Sequence, residues 1–363
     1  MRAEPQPLAS TALEPAPSPT HAHVRVEAAA RDDPRWDPYV ASRPEGTLFH
    51  RAGWCRAFER IFGYRWHGLI AVRGERVVGV LPLAQVPGFP RGTSLISSPF
   101  ASYGGVLAND SEAGEALLEA ATEVASSVGA RYLELRDGMR FENLPAKDLY
   151  VTFRRPIGPD HDKNFAEIRG KQRTSIRNAQ KRGLTWYTGG AELLPVFYPI
   201  YSHSVRNLGT PVFPRRLFEL LVEEFPDDSK VLIVTSDKKP VSAVLSFYHG
   251  GHVLPHYAGT LREAYRYSGS DFMYWSLMRY AADRGCTVYD FGRSKRETGA
   301  FEFKKHWGLE PTPLAYQYRL LRDKNIPDIS PKNPRFSLAI RAWRRLPLPV
   351  AERIGPKVVR FFP

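Results

Sequence analysis

Cysteine is nearly absent from this chain: Cys55 and Cys286 are the only two in 363 residues. They lie far apart, each in an apolar setting, so buried free thiols are expected rather than a disulfide or a nucleophile. No apolar run approaches the roughly 20 residues that a membrane span needs. The start of the chain lacks a basic stretch leading into an apolar core, so no secretory signal is expected and a cytoplasmic location is the default. Gly-x-Ser-x-Gly elbows, Walker loops and zinc-finger spacings are missing too. Negative charge is in short supply: 38 Asp and Glu stand against 51 Lys and Arg, a net charge of +13. Such a surface favours an anionic partner, whether a nucleic acid, a nucleotide phosphate or an acidic membrane face.

What is present is enough for one large or two medium domains, with 43% hydrophobic residues. The opening "EPQPLASTALEPAPSPTHAH" is Pro/Ala-rich and reads as a disordered leader, assigned to 1–30. Helical spacing from Leu48 to Phe62 precedes "LIAVRGERVVGVLPLAQV", two strands around a Gly turn. The Gly-rich "SSPFASYGGVLAND" follows, then an amphipathic helix with Ser111 as its expected cap, then the strand "ARYLELR". The second half repeats this order with "RRLFELLVEEF", "KVLIVTSDKKPVSAVLSFYHG", "DFMYWSLMRYAADRG" and "CTVYDFG". Aligning Gly129 with Gly285 sets Glu134 opposite Asp290. The expectation is a mixed α/β protein of two tandem copies of one unit, 31–160 and 161–322, with a central mixed sheet in each and a basic tail over 323–363.

Between the copies, Arg169, Arg173, Arg177 and Lys181 recur every four residues and form one basic stripe on a helix. The stripe is either a solvated face or a grip on phosphate, with Arg173 and Arg177 as its centre. Asp290 ends a strand, where α/β units often place reactive groups; it either accepts a proton or pairs with Arg293. Arg293, Ser294 and Lys295 suit phosphate or carboxylate recognition from a loop, with Gly292 and Gly299 letting backbone approach a ligand. Trp307 is either core or a stacking wall. Tyr103, Gly104 and Gly105 would complete a cleft from the first unit. His249, His252 and His256 superficially resemble metal spacing but have no nearby acid or Cys to complete a set, and no metal is expected.

The stretches "KQRTSIRNAQKRGL" and "YDFGRSKRETGAFEFKKHWGLEP" resemble the FemAB family, in particular its branch associated with the XrtA/PEP-CTERM protein-sorting system. The likeness runs from about Leu48 to Leu321. It implies two GNAT-like units and acyltransferase activity, with either aminoacyl-tRNA or acyl-CoA as donor and an envelope glycan or peptide precursor as acceptor. It also implies a link to exopolysaccharide and PEP-CTERM functions. Phe303, Lys304, Trp307 and Gly308 fit the family's Phe-Lys-x-x-aromatic-Gly pattern, so the resemblance makes Lys304 the lysine at the reacting carbonyl. "RYSGSD", Arg266 to Asp271, only partly matches the GNAT pyrophosphate loop. A carboxylate at Asp271 would repel pyrophosphate, so weak or no acetyl-CoA binding is expected. No cofactor is assigned with certainty; tRNA is a candidate partner and DNA is not expected. The tail, with Arg335, Arg341, Arg344, Arg345, Arg353, Lys357 and Arg360 among Phe336, Leu338, Ile340 and Trp343, either lies on the inner face of an anionic membrane or packs across the two units.

Overall fold

The computed structural model describes residues 23–88, 92–327 and 334–363. Residues 1–22 of the expected leader lie outside the described residues, as do the side chains of Arg335 and Phe336. The leader's boundary at residue 30 is too late. Val24–Ala28 forms strand β1, paired antiparallel with β2 (Leu69–Arg73) from Val24↔Arg73 to Ala28↔Leu69. Val24 and Val26 alternate onto apolar neighbours, a period-two signal that the Pro/Ala-rich stretch before it obscured.

Helix α1 (Ala52–Phe62) buries Trp54 and Phe58. After β2, Gly74 takes φ 64° to turn the chain into β3 (Arg76–Leu81). Pro82 follows, and β4 (Leu83–Pro87) then joins a different sheet beside β5 (Thr93–Ser97). Proline has no N–H for a ladder, so the strand breaks and the expected single sheet of the first unit becomes two. Helix α2 (Ser111–Ser127) is capped by Asp110 rather than Ser111: the Asp110 carboxylate accepts the Ala113 N–H at 3.0 Å. It leads to β6 (Tyr132–Arg136), which runs parallel to β5 at Leu95↔Leu133 and Ile96↔Glu134.

Two short strands, β7 (Tyr150–Thr152) and β8 (Arg154–Pro156), link the halves. The second unit then runs through α3 (Gly170–Lys181), β9 (Thr185–Gly189), α4 (Leu194–Leu208), α5 (Arg215–Glu224), β10 (Ser229–Ser236), β11 (Lys239–His249) and β12 (His252–Thr260). Helix α6 (Gly269–Asp283) connects to β13 (Val288–Asp290), parallel to β12 at His252↔Val288 and Val253↔Tyr289. Six strands make one sheet in the order β8-β13-β12-β11-β10-β9. The repeated order is therefore real: in each half an antiparallel hairpin leads, through one helix, to a two-residue parallel contact.

The halves are not sequential blocks, and the boundaries at 160 and 322 need correction. Strand β8, from the first half, pairs with β13 at Arg154↔Asp290. Beyond β13 come β14 (Ser294–Lys295) and α7 (Gly299–His306); β15 (Tyr316–Leu320) then returns to the first unit, pairing with β6 from Tyr316↔Arg136 to Leu320↔Tyr132. Each sheet thus borrows a strand across the expected boundary. The core is shared as well, with Trp54 and Phe58 of α1 in one buried cluster with Phe197, Phe218 and Tyr257.

The tail forms α8 (Pro334–Trp343) and α9 (Leu348–Val359). On α9, Ala351, Gly355 and Val359 are buried while Arg353 and Lys357 are exposed, the four-residue period of a docked helix. Gly355 is needed for the close approach, because a Cβ there would stand 2.3 Å from the Val212 carbonyl oxygen. Tyr64 donates to the Arg360 carbonyl at 2.6 Å and Ser202 to Glu352 at 2.7 Å, so α9 packs across both units.

Candidate active site

The chain leaves β13 at Asp290 and turns at Gly292, whose φ of 71° favours glycine. Asp290 is buried, and four donors fill its two oxygens. Thr152 and the Gly292 N–H reach Oδ1 at 2.9 and 2.7 Å; Tyr103 and Arg154 reach Oδ2 at 2.6 and 2.8 Å. A carboxylate offers about four acceptor directions, and all are taken. Neither expected role of Asp290 matches this. It pairs with Arg154 instead of Arg293, and it has no free lone pair for an incoming proton. Its place is a hub joining the first unit, the linking strands and the turn at Gly292.

That turn holds Lys304. Thr298 caps α7 through the Phe301 N–H at 3.4 Å, which aims Lys304 back at the turn. Its Nζ donates to the Gly292 carbonyl at 2.7 Å and the Arg293 carbonyl at 3.2 Å. Burial pushes the amine down from 10.5 to about 7, opposed by the charge of Asp290 and assisted by that of Arg293. An ammonium has three N–H donors and two are used here. Lys304 also lines a cavity of about 1370 Å³, whose walls include Thr260, Tyr274, Phe303 and Tyr316. Ala258, Gly259 and Thr260, at the far end of β12 from its two-residue pairing with β13, line it too.

Arg293 lines the same cavity. Its guanidinium stacks on Tyr150 at 4.8 Å and donates to the Tyr316 hydroxyl at 3.1 Å. Ser294 and Lys295 do not form a ligand loop; they are strand β14, paired with Val151 and Tyr150, and the Ser294 side chain is buried. Trp307 is core, fully buried with its indole N–H on Asp271 at 3.1 Å. Gly104 and Gly105 do not line the cavity: a Cβ on Gly105 would stand 1.7 Å from the Asp137 carbonyl oxygen, so close backbone packing explains them. Tyr103 serves Asp290. Arg173 and Arg177 lie on α3, away from the cavity lining, with Arg177 over the Phe165 ring at 5.1 Å. His256 sits in an aromatic core between Phe49 and Trp54, and burial pushes it to about 3. Both cysteines are buried and unpaired.

Asp271 also differs from expectation. Its carboxylate turns inward onto Trp307, and burial raises it to about 6 against the pull of that indole and of His306. It does not face the α6 N-terminus from outside, so the charge argument against pyrophosphate loses its premise. The sequence reading missed Tyr150, Thr152, Arg154 and Tyr316. The alternation in "YVTFRRP" was the available signal for the linking strands, but Thr152 and Arg154 lie 138 and 136 residues from Asp290.

Residues 167–305 match the acetyltransferase (GNAT) domain family. The segment starts just before α3 and ends just after Lys304. Among solved structures, FemX is similar over 87% of this chain and all of its own, at 17% identity and a TM-score of 0.65. A protein of unknown function from Bacteroides thetaiotaomicron matches 82% of this chain and all of its own, at 10% identity and a TM-score of 0.55. A tandem GNAT protein from the clavulanic acid biosynthesis pathway matches 84% of this chain and all of its own, at 12% identity and a TM-score of 0.50. These likenesses establish a mixed α/β, GNAT-like fold. No curated protein matches the chain in sequence.

Proposed function

We propose that this chain transfers an acyl group, by N-acyl or aminoacyl transfer, onto an amine of an anionic cell-envelope precursor, a glycan or peptide that is free or carried on lipid. The observation that carries this reading is Lys304: a buried amine near neutral titration, fixed by two carbonyls, on the wall of a large cavity inside the segment matching GNAT acetyltransferases. The acceptor nitrogen attacks the donor carbonyl carbon and the carbonyl π pair moves onto oxygen. The Lys304 ammonium stabilises that charge without reorganisation. Collapse restores the carbonyl and breaks its bond to the leaving ribose oxygen or thiol sulfur, which takes the proton that the attacking amine gives up. The likeness of "DFGRSK" and "FKKHWG" to the XrtA/PEP-CTERM branch favours an acceptor tied to exopolysaccharide and protein sorting.

For the donor, an aminoacyl-tRNA is favoured by α3. Arg169, Lys171, Arg177, Lys181 and Arg182 are exposed and make no ion pair among the described residues. The helix packs on α6, whose Ser270, Met273 and Tyr274 line the cavity, and an unneutralised basic surface there suits a polyanion. The second reading, an acyl-CoA, is favoured by Asp271 facing inward and by Ser270, at the α6 N-terminus, lining the cavity. Calorimetry separates them. The proposal expects aminoacyl-tRNA binding that weakens steeply with salt and no heat from acetyl-CoA; micromolar acetyl-CoA affinity would give the donor role to the thioester. Retained binding with no transfer to any amine would leave a non-catalytic binding module.

The tail is proposed to do two jobs. Arg341, Arg344 and Arg345 are exposed and are offered to an anionic membrane face, each contributing roughly 1 kcal/mol. Changing all three to Glu should release the chain from anionic vesicles at low salt while changing its melting temperature little, the cost being the long hydrogen bond from Arg344 to the Leu208 carbonyl at 3.3 Å. Deleting from Leu348 onward should instead lower the melting temperature, because α9 covers both units. A triple variant that sediments with vesicles as well as wild type would end the membrane part of the proposal.

A further inference from the structure

The cavity beside Lys304 is larger than the roughly 300–1,000 Å³ that encloses a typical small ligand, at about 1370 Å³. Its wall is more apolar than polar. Ile340 and Trp343 of α8, with Val358, Val359 and Phe362, are among the lining residues, so the tail supplies a share of the apolar wall. Charge is distributed quite differently. Among the described residues six cationic side chains line the cavity against one carboxylate, Glu134, and Arg136 already holds that carboxylate at 2.8 Å.

Arg293 is the telling member of this set. Among the described residues its side chain makes one hydrogen bond, to a neutral hydroxyl, and it stacks between Tyr150 and Tyr316 at 4.8 and 5.7 Å. Arg293 is half-buried; a guanidinium partly withdrawn from water with no carboxylate in hydrogen-bond reach among the described residues carries a desolvation cost, and an anion arriving from the cavity offsets it. Its fork matches the oxygens of a phosphate or carboxylate. At the mouth, Leu208 and Tyr265 line the cavity and are also 62% and 57% exposed, giving an apolar path outward.

We propose that this cavity binds an anionic amphiphile, with a phosphate or carboxylate head at Arg293 and a long alkyl chain along the tail's apolar face. The proposal rests on the reading of Lys304 as the transfer centre, since it places one substrate's chain next to that amine. A soluble nucleotide would leave the apolar wall uncovered, and a neutral lipid would leave Arg293 unmatched. The alkyl chain belongs either to a long-chain acyl thioester or to an acceptor carried on a lipid phosphate.

Calorimetry on the full chain with octyl, decyl and dodecyl phosphate, each below its micelle concentration, tests the proposal. Affinity should rise about fourfold per methylene, the factor for burying a CH2 group. Dodecyl trimethylammonium, with the same chain and the opposite charge, should not bind. Arg293→Gln should weaken dodecyl phosphate about tenfold or more and keep the chain-length slope. Trp343→Ala should flatten the slope while keeping the preference for the anionic head. Affinity independent of chain length, or equal binding of the cationic amphiphile, would overturn the proposal without recourse to any variant. Competition then identifies the source: palmitoyl-CoA displacing dodecyl phosphate assigns the chain to the donor, and phosphatidylglycerol displacing it assigns the chain to a lipid. Failure of all alkyl binding alongside intact transfer to a soluble amine would remove this inference alone. Normal transfer by Lys304→Ala with alkyl binding intact would instead remove the proposed function.

Discussion

Lys304→Ala should abolish acyl transfer, with a loss on the order of 100-fold or more in kcat, because one preorganised stabiliser of the oxyanion disappears. The variant should stay folded. Its cation is buried, with an amine pushed down from 10.5 to about 7 chiefly by desolvation. A depressed folded-state value means that stability is complete above the unfolded value near 10.5 and is lost as pH falls towards about 7. Lys304→Met removes that penalty. It should therefore be more stable than wild type at pH 6, by on the order of a few kcal/mol, with the gain shrinking as pH rises because the wild-type penalty fades as the unfolded lysine loses its own proton. A dead enzyme that is more stable at acid pH separates a chemical role from a folding role. The activity profile supplies a second readout. If the ammonium is the working form, transfer falls as pH rises through about 7. Lys304→Arg, charged at every accessible pH, should move that alkaline limb outward. Full turnover by a folded Lys304→Ala would remove the residue from the mechanism.

Asp290→Ala carries the largest expected loss of stability. The carboxylate accepts from Tyr103, Thr152, Arg154 and Gly292, all between 2.6 and 2.9 Å. Removing it leaves the buried Gly292 N–H and one of two buried hydroxyls without an acceptor, since Tyr103 and Thr152 still reach each other at 2.6 Å, while the half-exposed Arg154 turns to water. Each buried donor left without an acceptor costs roughly 1–3 kcal/mol. Urea unfolding should show that loss. Transfer should fall as well, because the residue that Asp290 fixes through its N–H, Gly292, holds Lys304 through its carbonyl. Tyr103→Phe should reproduce a smaller part of both effects by removing one of the four donors. An alanine variant as stable as wild type would show that the four hydrogen bonds do not form a hub.

Two kinds of information meet in this site. Local pattern was enough to place the helices around Trp54, Leu117 and Met278, the hairpins at Gly74 and around 237–238, and the two-fold repeat that aligns Glu134 with Asp290. Each depends on periodicity or turn chemistry within some twenty residues, which the sequence states directly. The run from Phe303 to Gly308 singled out Lys304, although only its burial explains an amine near neutral titration. The partners of Asp290 were not legible, because a carboxylate and its donors meet only after β8 has crossed into the second sheet and Tyr103 has been carried there by the first unit. The exchange of β8 and β15 between sheets was hidden for the same reason: strand pairing is set by backbone hydrogen bonds that any residue can make, and a five-residue strand does not name its neighbour. Asp271 gives the clearest case. Sequence alone set its charge against a phosphate, but the direction of its side chain, inward onto Trp307, was decided by packing.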